Sequence, residues 1–319
     1  MIGEFELIQR YFNRPPRRFD VVEGVGDDCA LLRPQMGKCL AITTDTLVEG
    51  IHFLAGTDPE SLGHKALAVN LSDLSAMGAA PAWVTLALTL PESDESWLAA
   101  FARGFRSLAD AYGVDLVGGD TTRGPLSITV QATGFVGEEG ALRRSTARWG
   151  DGIYLTGDLG LAGLGLEIVL GRILQQAPDA VAKLEKPQPR INAGISLAGF
   201  ANACIDISDG LAADLSHILH ASGVGATLDW LALPLPSPVR QFIDAGGDEW
   251  MPLRAGEDYE LCFTLSPQRE EELVTRMADF GCTCSRIGSI EQQMGLRLKK
   301  DGAIYDMAAL GYQHFPSRG

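Results

Sequence analysis

Long apolar runs are missing from this chain: none approaches the roughly 20 residues that a membrane-crossing helix needs. The N-terminus lacks the pattern of a secretory leader, because Met1 to Phe12 carries two glutamates in an amphipathic arrangement. Together these absences point to a cytoplasmic protein with no membrane partner. Cations are scarce as well: 26 Lys and Arg against 41 Asp and Glu leave a net charge of −15. That balance argues against a nucleic-acid binder, which grips phosphates with lysine and arginine. The six cysteines form no C-x-x-C pair and no Cys/His zinc spacing. Most sit in apolar, strand-like runs such as Cys39-Leu-Ala-Ile and Glu260-Leu-Cys262-Phe, so they read as small buried hydrophobes in a reducing compartment. Also absent are a G-x-x-x-x-G-K-[ST] phosphate loop, the protein-kinase H-R-D without which the tripeptide Asp279-Phe-Gly281 is no kinase signature, a G-x-S-x-G elbow and H-E-x-x-H. No repeat or low-complexity tract is present.

What the chain does have is acid beside small residues. Five islands recur: Gly26-Asp-Asp28, Thr43-Thr-Asp45, Asn70-Leu-Ser-Asp73, Gly118-Gly-Asp-Thr-Thr122 and Asp206-Ile-Ser-Asp-Gly210. Any one of them reads equally as turn or helix-cap chemistry. Five together suggest carboxylates gathered from distant segments, and such a cluster needs a compensating cation. Hard oxygen donors with adjacent hydroxyls suit Mg²⁺, which is held by few carboxylates, by water and by substrate phosphates. An acidic protein handling anionic phosphates would need such ions as bridges, although the same net charge also serves solubility. Asp28, Asp45, Asp73 and Asp120 are the candidate carboxylates, with the hydroxyls of Thr43, Thr44 and Thr121 as further oxygen donors. Phosphoryl transfer rests on positioning and charge neutralisation, so this set suits a nucleotide enzyme built on metals.

At 319 residues, 46% hydrophobic and 21% charged, the chain is globular and long enough for two domains. The pattern breaks near residue 145. Residues 1–145 are expected to hold strands at Leu40–Thr43, Val84–Leu90, Val114–Val117 and Leu126–Val136. Helices are expected from Pro59 to Met77, opened by Asp58-Pro59-Glu60, and from Glu95 to Tyr112. On the first of these helices Asn70 and Asp73 are polar residues in a buried-looking stripe, for which a shared metal would serve as partner. Residues 146–319 alternate strand and helix, the mark of an α/β layered domain. Strands are expected at Ile153–Thr156, Ala226–Leu231, Glu260–Leu265 and Cys284–Ile287. Helices are expected after Gly165 to about Leu174, around Pro189–Asn202, at Asp209–Ser222 and at Pro267–Phe280. Leu233–Pro238 reads as a loop. The glycine-rich turn Gly157–Gly165 between strand and helix reads as an anion cradle or as close helix–strand packing.

Longer motifs carry a resemblance. Gly26-Asp-Asp-Cys-Ala30, Thr44-Asp-Thr-Leu-Val-Glu-Gly-Ile-His-Phe53, Lys65-Ala-Leu-Ala-Val-Asn-Leu-Ser-Asp-Leu-Ser-Ala-Met-Gly78, Gly118-Gly-Asp-Thr-Thr-Arg-Gly124, Ile205-Asp-Ile-Ser-Asp-Gly-Leu211 and Gly256-Glu-Asp-Tyr-Glu-Leu261 are its core. In order and spacing, through Gly311-Tyr-Gln-His-Phe315, the chain closely resembles the bacterial thiamine-monophosphate kinases. The resemblance implies ATP-dependent phosphorylation of thiamine monophosphate to thiamine diphosphate. It also implies the two-domain α+β fold of aminoimidazole ribonucleotide synthetase, whose N-terminal sheets pair into a β-barrel across a homodimer. Carried over by position, Asp28, Thr43, Thr44, Asp45, Asp73, Asp120, Asp206 and Asp209 look like ligands of several Mg²⁺ ions. Tyr112, Gly119, Asp120, Arg144 and Ser208 look like ATP contacts, and His52, Glu257 and Tyr312 like contacts to thiamine monophosphate. No general base is implied, because the acceptor is already a phosphate anion. Taken by themselves, His52 and Tyr312 read as packing residues and Arg144 as a surface charge beside Arg143. Other ATP-using enzymes of this superfamily and a metal-dependent phosphatase are the rival readings. A selenophosphate synthetase would carry a reactive N-terminal Cys with a nearby Lys, and the first 28 residues hold neither.

Overall fold

The computed structural model describes residues 3–278 and 281–307. The chain forms two compact units, Met1–Leu74 with Ala79–Glu138, and Ser75–Gly78 with Glu139–Gly319. In the first unit the order is α1 (Glu4–Tyr11), β1 (Val21–Glu23), β2 (Leu31–Leu32), β3 (Cys39–Val48), α2 (Pro59–Ala76), β4 (Ala80–Leu90), α3 (Glu95–Ala111), β5 (Asp115–Arg123) and β6 (Ser127–Val136). Local chemistry sets the helix starts. Asp58 accepts from the Ser61 amide at 2.8 Å with Pro59 opening α2, and Asp94 accepts from the amides of Ser96 and Trp97 at the start of α3.

Four strands form the sheet of this unit in the order β3-β6-β4-β5, with β4 and β5 parallel and the other pairs antiparallel. Strand alternation separates its two faces. The rows containing Asp45, Val130 and Leu86 lie on one face, where β6 and β4 bury Ile128, Val130, Ala132, Val84, Leu86 and Leu88. The intervening rows lie on the other face and expose Leu40, Ile42, Thr44, Thr46, Gln131 and Ala87. At one end of the sheet, Trp83 meets Phe135 edge-on at 5.0 Å between ring centroids, and both belong to a small core with Val21 of β1.

The second unit runs from β7 (Gly152–Thr156) through α4 (Leu161–Val169), α5 (Pro178–Glu185), α6 (Ile191–Leu197), β8 (Ala203–Asp206), α7 (Leu211–Ser222), β9 (Gly225–Asp229), α8 (Ser237–Asp244), α9 (Met251–Arg254), β10 (Leu261–Leu265), α10 (Glu270–Ala278), β11 (Cys284–Glu291) and β12 (Gly295–Lys300) to β13 (Ala303–Asp306). Its seven-stranded sheet has the order β13-β12-β9-β11-β7-β10-β8, in which only β12 and β9 run parallel. The central strands β7 and β10 are buried at every residue, as expected for a sheet covered on both faces. Ile153, Leu155, Ile205 and Cys262 belong to a core with residues of α4, α7 and α8. Tyr154, Cys204, Leu261 and Phe263 belong to another with residues of α6 and α10. The layered domain expected from alternating segments is therefore present, though mostly antiparallel.

Several elements differ from the sequence reading. A helix begins at Ser237 inside the segment read as a loop, with Pro238 in its first turn, where a missing amide costs nothing. α5, β12 and β13 had no strong periodic signal. Among the described residues, no helix is long and apolar enough to cross a membrane.

Candidate functional site

In the first unit, strand pleating puts Thr43 and Asp45 on one face of β3, toward α2. The Thr43 hydroxyl donates to the Asp73 carboxylate. The Asp45 amide donates to Asn70 Oδ1 at 3.2 Å, while Asn70 Nδ2 donates to the Ala66 carbonyl at 3.2 Å. Asn70 thus finds its partners in the backbone and needs no metal. The two carboxylates are different. Burial first, then the neighbouring Asp73 charge and a hydrogen bond to it, push the Asp45 carboxyl up to about 7. A like-charge pair of this kind is stabilised by a shared cation. Two carboxylates and the Thr43 hydroxyl are hard oxygen donors of the kind that suits Mg²⁺. Among the described residues, no three or more His, Cys, Asp or Glu side chains gather as a metal cluster.

The remaining candidates of this unit sit apart from that pair. Asp120 aligns with Ala87, which aligns with Thr129 and, through it, Thr46. This row is one step beyond Asp45, so Asp120 and Thr44 belong to the opposite face of the sheet. The hydroxyls of Thr46 and Thr129 touch on that face at 2.8 Å. Gly119 has φ +152°, and a Cβ there would lie 1.9 Å from the Leu86 carbonyl, so only glycine fits between the strands. Asp28 is exposed between β1 and β2, its amide held by Asp27 Oδ1 at 2.8 Å. His52 Nδ1 accepts from the Val48 amide at 3.0 Å, which ties the ring into the turn after β3. Tyr112 ends α3.

In the second unit two loops are laced together. After β8, the Ser208, Asp209 and Gly210 amides converge on one oxygen of Asp214 at 3.0, 3.0 and 3.1 Å. Burial pushes Asp214 up to about 7 against the pull of these amides. The Ser208 carbonyl then accepts from the Glu257 amide at 2.9 Å, and the Ile207 carbonyl from the Tyr259 amide at 2.8 Å. The backbones touch here, since a Cβ on Gly256 would stand 2.0 Å from the Ser208 carbonyl oxygen. Glu257 and Tyr259 adopt φ values of +73° and +47°, conformations held only where surroundings over-determine them. Asp206, Ser208, Asp209 and Glu257 therefore share one platform. Arg144 is exposed near the start of the unit, with its carbonyl bonded by Ser222. Tyr312 lies outside the described residues.

Sequence reasoning gave no role to the three carboxylates that brace these loops, Asp214, Asp258 and Glu260, and one expectation is corrected. The Gly157–Gly165 turn does face an anion at the start of α4, but the anion is the protein's own: Asp258 accepts from the amides of Gly160 at 2.7 Å and Ala162 at 3.1 Å. Asp258 is fully buried, and burial pushes it up to about 6. Beside it, Glu260 is 0% exposed and binds Arg190 through two contacts of 2.6 Å, Lys183, and the Thr156 hydroxyl at 2.7 Å. Asp214 had a local signal, an acid in the first turn of a helix. Asp258 and Glu260 lie within the Gly256–Leu261 motif, but nothing in it marks them as buried partners of residues far back in the chain.

Residues 26–136 match the pattern described as AIR synthase related protein, N-terminal domain, and residues 148–301 match its C-terminal domain. The chain belongs to this family. Within it, the chain is 47% identical to the thiamine-monophosphate kinase of Salmonella typhimurium over 98% of each chain. It is 34% identical to the one of Bacillus subtilis, over 98% of this chain and 100% of that one. Among solved structures, the crystal structure of thiamine-monophosphate kinase from Stenotrophomonas maltophilia superposes with a TM-score of 0.85 at 43% identity, covering 90% of this chain and 93% of that one. AaThiL complexed with AMPPCP and TMP superposes with a TM-score of 0.79 at 32% identity, covering 88% and 89%. The family fold and its branch are thereby shown, and the acidic motifs fall within the matched regions.

Proposed function

We propose that this protein is an ATP:thiamine-monophosphate phosphotransferase of the cytoplasm. The observation that carries the reading is the 47% identity to a thiamine-monophosphate kinase over 98% of each chain. A relative solved with AMPPCP, an ATP analogue, together with TMP adds the two-substrate chemistry.

The residues divide the work. Asp45 and Asp73 hold Mg²⁺, with Thr43 fixing the Asp73 carboxylate. Asp28, Thr44, Asp120, Asp206 and Asp209 are further proposed ligands on the strength of the resemblance. Mg²⁺ supplies charge neutralisation of phosphate oxygens as the phosphoryl group moves. The Asp214-braced loop fixes the Ser208 and Asp209 side chains for nucleotide and metal, alongside Tyr112, Gly119 and Arg144. Glu257 offers a carboxylate to the cationic thiazolium, with His52 and Tyr312 as the other acceptor-side contacts. A phosphate acceptor needs no strong base, so positioning does most of the catalysis.

The test is release of ADP from ATP and Mg²⁺. It is expected only when thiamine monophosphate is present, and to stop on chelation by EDTA. Release of ADP without an acceptor, or of inorganic phosphate from thiamine monophosphate, would replace the kinase by an ATPase or a phosphatase. Tyr312→Ala should raise KM for thiamine monophosphate by about 2- to 30-fold, the worth of one aromatic contact to a cation, and leave KM for ATP unchanged. Equal weakening of both substrates would remove Tyr312 from the acceptor site.

The active form is proposed to be a homodimer. The first unit leaves β3 and β5 as open edges of its four-stranded sheet and exposes Leu40 and Ile42 on the face away from α2. A second copy closing the sheet toward a barrel removes those edges. Sedimentation should give about twice the 34.1 kDa chain mass at micromolar concentration; a purely monomeric boundary would reject the dimer.

A further inference from the structure

Residues 256–260 are fastened through both backbone and side chains. The Glu257 amide donates to the Ser208 carbonyl, the Tyr259 amide to the Ile207 carbonyl, and the Ile207 amide back to the Glu260 carbonyl at 2.8 Å. Asp258 is 0% exposed and gives one oxygen to each of two amides at the start of α4, Oδ2 to Gly160 at 2.7 Å and Oδ1 to Ala162 at 3.1 Å. Glu260 is held by Lys183, Arg190 and Thr156. Glu257, next to Asp258, stays half-buried.

The backbone is left-handed on either side of Asp258, with φ +73° at Glu257 and +47° at Tyr259. A Cβ makes that conformation unfavourable, and it persists only where the surroundings impose it. Asp258 is placed to impose it, because its side chain ties the one residue between the two left-handed ones to a helix start 98 residues earlier.

We propose that Asp258 is a positioning residue for the acceptor substrate: by fastening its own backbone to the start of α4 it holds Glu257 in the conformation that presents its carboxylate to the thiazolium. The inference rests on the acceptor-side role given to Glu257 above, and Asp258 acts through Glu257 rather than on the substrate. Counting acceptors explains why an aspartate stands here. Asparagine has nearly the same volume but a single acceptor oxygen, and its NH₂ group would face a backbone N–H, turning one of the two tethers into a repulsion. With the tether weakened, Glu257 relaxes toward a conformation its Cβ prefers, and the carboxylate moves with it.

The test is a double-mutant cycle between Asp258→Asn and Glu257→Ala, read by steady-state kinetics of the full-length protein with ATP and thiamine monophosphate. Asp258→Asn should raise KM for thiamine monophosphate by about tenfold, the scale of one displaced charge contact. KM for ATP and kcat should stay unchanged, as when a contact made equally in ground and transition states is lost. In the Glu257→Ala background the same change should add nothing to that KM, since a residue acting through another loses its effect once the other is gone. A mere helix cap would lower the melting temperature and leave both KM values alone, or act equally in both backgrounds, and either result overturns the proposal. The reading beneath it fails separately. If wild type releases no ADP with thiamine monophosphate, or Glu257→Ala leaves that KM unchanged, the acceptor role of Glu257 falls and this inference with it. A KM raised by Glu257→Ala but not by Asp258→Asn removes the positioning role alone. Should Asp258→Asn fail to fold, two variants at residue 257 still decide. Glycine adopts positive φ freely, so Glu257→Gly should melt about 2–4 °C above Glu257→Ala. An alanine variant that melts as high or higher would show that residue 257 is not held left-handed, and would overturn the proposal.

Discussion

Glu260→Ala should lower the stability of the fold by roughly 3–5 kcal/mol, the usual cost of removing one partner from a buried ion pair. The side chain is 0% exposed and meets two cations, Lys183 at 12% and Arg190 at 29% side-chain exposure. Alanine removes the carboxylate that Lys183, Arg190 and the Thr156 hydroxyl share. Urea denaturation should show a lower midpoint with an unchanged slope. Glu260→Gln keeps the volume and one acceptor oxygen and should fall between wild type and alanine. Adding Lys183→Met to the alanine variant should recover part of the loss, since a stranded charge is then removed. A loss below about 1 kcal/mol for the alanine variant, the range of exposed pairs, would show that the cluster does not hold the unit together.

For Asp45→Asn the expected effects have opposite signs. Without Mg²⁺, the variant should be as stable as wild type or more so, because it relieves the contact between two carboxylates that wild type holds together. Its kcat should nevertheless fall by about 10²-fold or more, the scale of losing one charge-stabilising group. Added Mg²⁺ should raise the melting temperature of wild type and do so much less in the variant, a readout independent of turnover. A variant that is destabilised and still gains from Mg²⁺ as wild type does would make Asp45 structural. Stabilisation coupled to loss of function marks a residue kept for its chemistry.

The starts of α2 and α3 were legible in the sequence. Asp58-Pro59 and Asp94 act on amides two or three residues away, so their effect is written locally. The central strands were legible too, since β4, β6, β7 and β10 are apolar runs or alternations. The acidic islands led to the expectation of a metal site, and of its expected members the structure brings Thr43, Asp45 and Asp73 together. It could not be read from spacing alone that Asp120 and Thr44 fall on the other face of the sheet, because that depends on register across four strands. The role of Asp258, a member of the Gly256–Leu261 motif, was hidden for another reason. Its partners, Gly160 and Ala162, lie far back along the chain, and nothing local distinguishes a ligand's anion from the protein's own. The proposed substrate rests on the likeness to thiamine-monophosphate kinases, because neither charge nor periodicity names one.

The strand order of the second unit also constrains how the chain emerges from the ribosome. β7 spans Gly152–Thr156, yet its two neighbours are β10, beginning at Leu261, and β11, beginning at Cys284. The first unit, in contrast, finds every strand of its main sheet by Val136. That sheet can close while the rest is still being made. An apolar strand that is buried at every residue in the finished molecule must wait, unpaired, for more than half of its own unit to be synthesised. The interval in which β7 has no partner is the part of biogenesis most exposed to aggregation, and the one where a chaperone has most to protect.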